Sequence, residues 1–246
     1  MNNNLTIRKQ IIIPDDCPEH ISKEYSDIEL AGILSKDKNN FEIFEKLLLK
    51  TNKNERIVNE CLMKIIGNFY TSICADTIKI LIKHGADINY KKSNNWTSPI
   101  YSCIYSKNIK KMELLLENGA DINMNSCFGY SPLTYLMEIC NGCDYEIIKL
   151  LIRKGAQINY QNINGLTPLM IYFRWTHNDY VKLDIIKLFL DNKTDIYVKD
   201  KKGKNTLNYC KNKDNMHYSL IFNYKNLEND NFCECDINFI YCRFMN

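Results

Sequence analysis

Asp144 to Asn159, DYEIIKLLIRKGAQIN, is the stretch that decides how this chain is read. Its first ten residues place apolar side chains at helical spacing, and Gly-Ala-Gln-Ile-Asn follows. A glycine behind an apolar helical run marks a stop, because glycine takes up positive φ without a Cβ clash. Upstream variants are DTIKILIKHGADIN (Asp76 to Asn89) and IKKMELLLENGADIN (Ile109 to Asn123). A worn downstream copy is DIIKLFLDNKTDIY (Asp184 to Tyr197). Four copies in one chain imply a repeat architecture.

The phase is kept by two markers. The stops fall at Gly85, Gly119 and Gly155, with Lys193 in the fourth place, in steps of 34, 36 and 38. Before each copy after the first, and once more after the last, stands a second marker. These are Ser98-Pro99-Ile100, Ser131-Pro132-Leu133, Thr167-Pro168-Leu169 and Asn205-Thr206-Leu207. Each marker begins its helix 13 or 14 residues after a stop, whereas the next stop lies 20, 23 or 25 residues further on. The extra residues therefore fall between the two helices of a pair. Proline in a first helical turn gives up an N–H that would have no partner there, and the preceding Ser or Thr can cap the helix.

Two markers in phase over about 110 residues resemble the ankyrin repeat, with its period of about 33 and its T-P-L-H-x-A signature. The resemblance implies an all-α fold: an ankyrin-repeat solenoid of about five to six stacked helix pairs joined by β-hairpin-like loops. One continuous core makes this a single domain. Its expected plan is an extended lead-in at 1–22, an array at 23–224 and a tail or cap at 225–246. Within the array, units 23–54 and 55–89 are degenerate, units 94–123, 129–159 and 165–197 are better kept, and 203–224 is the last. In unit 55–89 the helices are expected at Ile57 to Phe69 and Thr77 to Lys83. Leu114, Leu115, Ile147, Ile148, Leu150, Leu151, Ile185, Ile186 and Leu188 are the expected buried residues of the outer helices. The family's histidine is replaced by Tyr101, Thr134 and Met170, and its small alanines by Ser102, Cys103, Leu136 and Phe173. Such residues predict irregular stacking.

Composition excludes several classes. With 45% hydrophobic and 25% charged residues, the chain is that of a globular protein rather than a disordered one. A formal net charge of +3 is too weak to point to nucleic acid or a membrane surface. No run approaches the roughly 20 apolar residues of a membrane helix, and Ile11-Ile12-Ile13 before Pro14 is too short for a secretory signal. Eleven cysteines without such a signal suggest reduced thiols and a cytoplasmic protein.

No catalytic motif is present: no GxxxxGK[ST], H-E-x-x-H, G-x-S-x-G or G-x-G-x-x-G. No catalytic, cofactor-binding or metal-binding residue is assigned, and no cofactor is expected. Cys140 and Cys143 have metal-like spacing, and His177 could approach them in the next repeat, but zinc wants a fourth ligand. A zinc-binding or thiol-redox protein using Cys140 and Cys143 is the alternative reading. Cys233, Cys235 and Cys242 form a weaker cluster. His84 sits near a helix end, where a cation meets the negative end of the dipole. Lys199, Lys201, Lys202, Lys204, Lys211 and Lys213 form a basic cluster without any nucleic-acid reader motif beside it.

The resemblance also implies a function: a non-enzymatic scaffold or adaptor that holds a protein on its hairpin tips and inner-helix face. Mapped onto this chain, the hairpin positions are Lys92, Asn94, Asn95, Asn125, Cys127, Phe128, Tyr130, Gln161, Ile163, Asn164 and Leu166. The inner-helix positions are Tyr105, Ser106, Glu138, Ile139, Arg174 and Trp175. Large aromatic and arginine side chains dominate interface energetics, which selects Trp96, Tyr105, Phe128, Tyr130, Arg174 and Trp175 as the protein-binding residues. The Asn, Ile and Lys bias and the GADIN stops resemble ankyrin-repeat proteins of large DNA viruses, of giant-virus or poxvirus type. That implies work in the host cytoplasm on a host protein; the chain is expected to be monomeric. Some poxvirus members add a C-terminal F-box-like segment that recruits a ubiquitin ligase, so a viral ubiquitin-ligase substrate adaptor is a further alternative, though the tail after Tyr224 is short for such a segment.

Overall fold

The computed structural model describes residues 55–67, 75–91, 98–126, 128–139, 144–176 and 182–210, together with residues 45, 48, 49 and 221. The expected lead-in and C-terminal tail lie outside these residues. The chain divides into two compact units, Met1–Asp121 and Ile122–Asn246. In the first, the described helices are α1 (Glu55–Gly67), α2 (Ala75–Lys83), α3 (Pro99–Tyr105) and α4 (Ile109–Glu117). In the second they are α5 (Pro132–Ile139), α6 (Tyr145–Arg153), α7 (Pro168–Trp175), α8 (Leu183–Asp191) and α9 (Thr206–Cys210). Among the described residues every regular element is a helix, so the fold is all-α, as the repeat markers imply. Helix α1 begins two residues before the expected Ile57, and its expected end at Phe69 lies outside the described residues. Glu55 gives its first turn an acidic group that suits the dipole. Helix α2 likewise begins two residues before the expected Thr77.

Within the first unit α1 packs on α2 and α3, and α3 packs on α4. Within the second, α7 lies between α5 and α9, while α6 packs on both α5 and α8. An inner row (α5, α7, α9) thus backs an outer row (α6, α8). The outer helices bury single apolar stripes: Ile147, Ile148, Leu150 and Leu151 on α6, and Ile185, Ile186, Phe189 and Leu190 on α8. On α4 the buried set is Lys111, Met112 and Leu115. Leu114 and Leu188 flank these stripes and are only half-buried, which corrects their expected place in the core. Each fully buried aliphatic side chain stabilises by roughly 1.5–3 kcal/mol, but a nine-residue helix has one such stripe and needs neighbours to cover it.

The inner helix α7 is buried over most of its surface, from Pro168 to Phe173. The bulky residues it carries find room. The rings of Tyr172 and Phe173 meet edge-on at 5.6 Å, and the Tyr172 hydroxyl accepts the Lys182 amide at 2.8 Å just before α8. One buried aromatic therefore fills the core and also satisfies an orphan donor at the next helix start.

The caps divide in outcome. The Thr167 hydroxyl accepts from the Met170 amide at 3.4 Å, and the Ser131 hydroxyl from the Thr134 amide at 3.3 Å. Asn205 and Asn208 exchange amide-to-side-chain bonds at 2.9 and 3.2 Å, a reciprocal cap that replaces the missing proline marker. Ser98 does not cap α3; its buried hydroxyl has no partner among the described residues. The left-handed stop is kept even where glycine is lost, with φ at 94° for Gly155 and 60° for Lys193. His84 follows α2 and is buried, with its Nε2 3.4 Å from Glu45 Oε1. Hydrogen bonds first from Lys83 and then from His84 hold the Glu45 carboxyl below the usual range.

The last residue of each GADIN-type stop ties one repeat to the next. The Asn89 side chain accepts the Asp121 amide at 2.7 Å and donates to the Gly119 carbonyl at 3.3 Å. Asn123 accepts the Gln157 amide at 2.8 Å and donates to the Gly155 carbonyl at 3.2 Å. Asn159 accepts the Asp195 amide at 2.8 Å and the Thr194 hydroxyl at 3.1 Å. Even α1 joins the pattern, since Asn59 accepts the Asp87 amide at 2.7 Å. These bonds use backbone groups exposed by each helix stop.

Candidate functional site

Three hairpin tips of the second unit are built on one plan. In Ser126–Tyr130, Asn162–Leu166 and Asp200–Lys204, the first residue donates its amide to the carbonyl of the fifth, at 2.9, 3.0 and 2.8 Å. The first side chain accepts the fifth amide in return, at 3.1, 3.0 and 2.8 Å. The fourth residue is a glycine at positive φ each time. At Gly165 this freedom has a second reason. A Cβ there would lie 2.9 Å from the Lys201 amide nitrogen and 3.0 Å from Asp200 Cα, so the neighbouring tip closes directly on its backbone. The Lys201 amide donates to the Asn164 carbonyl at 3.1 Å, and Gln161 Nε2 bridges the Gly165 and Lys199 carbonyls at 2.7 and 2.9 Å. The first tip meets the second where a Cβ on Gly129 would overlap the Ile163 side chain. The tips therefore form a packed row.

Beside this row lie the inner-helix residues. Arg174 is exposed at the end of α7, and its guanidinium stands 4.9 Å over the ring of Trp175, itself 44% exposed. Stacking of this kind holds a long side chain in place. The charge of Arg174 acts on two tyrosines. Burial pushes Tyr130 up, Glu138 adds to the rise, and Arg174 opposes it. Tyr209 is pushed up to about 12 by burial and by its Asp200 partner, again opposed by Arg174. The Tyr209 hydroxyl donates to Asp200 Oδ2 at 2.5 Å. Burial would raise Asp200, but that bond and the amides of Lys204 and Lys202 hold its carboxyl below the usual range. Its screening from water comes from its own turn rather than from the deep core.

The selected residues fall as follows. Trp96 lies outside the described residues. Tyr105 belongs to the first unit and is 64% exposed at the end of α3. Phe128 is exposed on the first tip and Tyr130 half-buried at its end. Tyr130, Arg174 and Trp175 belong to one neighbourhood, reached through Glu138 on α5. Leu166 is a correction. It is 1% exposed: this apolar fifth residue turns into the core, whereas Tyr130 at the same place in the first tip is half-buried and Lys204 in the third is exposed. Ile163, by contrast, is 54% exposed. Tyr209 and Asp200 were not among the expected residues. The signal for Asp200 was present, since Ser126, Asn162 and Asp200 are spaced by 36 and 38, in step with the helix stops.

Cys140, Cys143 and His177 lie outside the described residues, as do Cys233, Cys235 and Cys242. Among the described residues no group of three or more His, Cys, Asp or Glu could hold a metal ion, and no helix is long and apolar enough to cross a membrane. The described cysteines, Cys61, Cys103 and Cys210, are buried. In the first unit Lys111 is 2% exposed, and its Nζ donates to the Ile65 and Ile66 carbonyls at 3.4 and 3.1 Å. It satisfies the C-terminal carbonyls of α1.

Comparison with known proteins places these observations. A family model described as ankyrin repeats in three copies matches residues 32–126, and a single-repeat model matches residues 128–163. An ankyrin repeat protein of Variola virus is 32% identical over 124 residues, 50% of this chain and 20% of that protein. An ankyrin-repeat protein of Acanthamoeba polyphaga mimivirus is 27% identical over 171 residues, 61% of this chain and 16% of its own length. A fowlpox virus ankyrin-repeat protein is 32% identical over 137 residues, 53% of this chain and 37% of its own length. The chain thus spans well under half of each of these relatives. Helix pairs in phase, left-handed stops, packed hairpin tips and the two family models lead to one conclusion: the chain belongs to the ankyrin-repeat family.

Proposed function

We propose that this chain is a non-enzymatic scaffold or adaptor that engages a host protein through the hairpin tips and inner-helix face of its second unit. Ankyrin repeats generally mediate protein–protein interaction, and proteins built from them are typically scaffolds without catalysis. The observation that carries the reading is the Arg174–Trp175 pair. It is an exposed, mutually stacked cation and aromatic at the end of an otherwise buried helix. Arg174 is exposed and Trp175 leaves 44% of its surface uncovered, while Arg and Trp are the residue types that anchor interfaces. Tyr130 at the neighbouring tip supplies a third anchor. The viral relatives favour a partner in the host cytoplasm.

The test is affinity capture from host cells with the full chain and with Arg174→Ala/Trp175→Ala, circular dichroism serving as the fold control. Loss of a stoichiometric protein from the double variant is expected. Retention of every captured protein by a folded double variant would remove this face from the reading.

A further inference from the structure

We infer that the row of hairpin tips in the second unit reads an extended, acidic-then-apolar segment of a partner protein. This deepens the proposal above and rests on its reading of the tips as a binding surface. The basis is a gradient of chemistry along the packed row. The first tip exposes Phe128 and the second exposes Ile163, at 42% and 54%. The third, Lys199–Lys204, exposes four lysines.

Its single acid does not offset them. Asp200 is 7% exposed and is turned into its own loop, where Tyr209 Oη and the Lys202 and Lys204 amides occupy it. The third tip therefore presents only positive charge outward, and it is rigid. Its turn is closed by four hydrogen bonds around Asp200, counting the Gly203 amide, the Asp200 amide and the two amides donated to Oδ1. Fixed charges on a pre-ordered loop attract a complementary segment without a further ordering penalty. The other two tips carry no described charged side chain.

The spacing sets the length of the occupant. Packed helices stand about 8–10 Å apart, so successive tips of stacked pairs recur at about that interval. An extended chain advances about 3.3 Å per residue, covering one interval in about three residues. A segment with carboxylates at one end and apolar side chains about three and six residues away would reach all three tips. Nucleic acid fits less well. It needs a charged groove along its backbone, whereas here the cations are confined to one end of the row and the chain's formal net charge is only +3.

The test is fluorescence anisotropy of the full chain with three labelled probes. One is a decapeptide of four Asp or Glu residues followed by two leucines spaced three apart in a Ser/Gly background. The second has its acids replaced by Asn and Gln, and the third is a ten-nucleotide single-stranded RNA. The acidic peptide is expected to bind about ten-fold more tightly than its amide counterpart at low salt. It should lose about ten-fold in Lys201→Glu/Lys202→Glu, and the advantage should shrink at high salt. Ile163→Ser is expected to weaken both peptides alike. Equal binding of the two peptides, or tighter binding of RNA than of the acidic peptide, would overturn the inference. The proposal it rests on is tested separately with the captured partner. If the folded charge-reversed chain retains that partner while Arg174→Ala/Trp175→Ala loses it, the inner-helix reading stands and this inference falls.

Discussion

The Asn159 side-chain oxygen accepts the Asp195 amide at 2.8 Å across a separation of 36 residues. The same bond joins Asn123 to Gln157 and Asn89 to Asp121. Each asparagine ends one helix stop and holds the start of the next. These links are near the surface, so each should contribute about 1 kcal/mol, the usual net value of a protein hydrogen bond. Asn123→Ala is expected to destabilise by about 1–2 kcal/mol, because it also frees the Gly155 carbonyl. Urea denaturation with an unchanged m-value would register the loss; an unchanged midpoint would mean water replaces both bonds without penalty.

Lys193 adopts φ 60° where the matching residue of the preceding repeat is Gly155 at φ 94°. A side chain with a Cβ is strained in the left-handed region by about 1 kcal/mol. Lys193→Gly should relieve that strain and raise stability by about 0.5–1 kcal/mol, the gain being reduced by the greater freedom of glycine in the unfolded chain. Thermal unfolding measures it. A lower Tm in Lys193→Gly would show that the lysine side chain contributes more than the turn strain removes.

Gly165→Ala is the opposite case. It combines φ 76° with a Cβ 2.9 Å from the Lys201 amide nitrogen, so both turn and neighbour would have to move. Strain and overpacking together are expected to destabilise by about 2–4 kcal/mol. Gly155→Ala, with open space around its Cβ, should lose only the smaller conformational part. Comparing the two urea midpoints separates close approach from φ alone; equal losses would mean that the tips do not bear on each other.

These cases show what the sequence could carry. The repeat and its helix pairs were legible because they depend on periodic apolar residues and on Pro and Gly, whose local effects are strong. The Asn ladder is not legible in the sequence, because the partner of Asn123 lies 34 residues on and an asparagine in a turn has many local uses. Leu166 is expected on the surface from its place in the family's hairpin face, yet this apolar side chain turns inward where Lys204, at the same place in the third tip, stays exposed. The association of Tyr209 with Asp200 required the third tip to fold back over α9. No residue pattern states that direction.

Cys103 offers a chemical check on the first unit. Burial pushes its thiol up to about 12, against the pull of the Lys111 charge. Since the thiolate is the reactive form, Cys103 should resist iodoacetamide at pH 8 in the folded chain. Buried Cys61 and Cys210 should resist it too. Site-resolved mass spectrometry is expected to show all three modified only after denaturant. Rapid labelling of Cys103 in native protein would mean that α3 opens readily.

Tyr209 and Asp200 tie stability to pH at both ends. Tyr209 titrates at about 12 when folded and at about 10 when unfolded. Its contribution is therefore complete below about 10 and is lost as the pH rises through about 12. The Asp200 carboxyl is held below its usual range, so its contribution is present above about 3.9 and is lost as the pH falls through the lowered folded value. Between the two windows the pair is intact. Tyr209→Phe should reduce stability at pH 7 by about 1–3 kcal/mol, as expected for a hydrogen bond to a charged group. The deficit should narrow toward both extremes, where the native chain loses the bond as well. Phenolate absorbance should show a late-titrating component that loses one tyrosine in Tyr209→Phe and shifts in part toward 10 in Asp200→Asn. A titration in which Asp200→Asn matches the native chain would show that the hydroxyl is not bonded to the carboxylate.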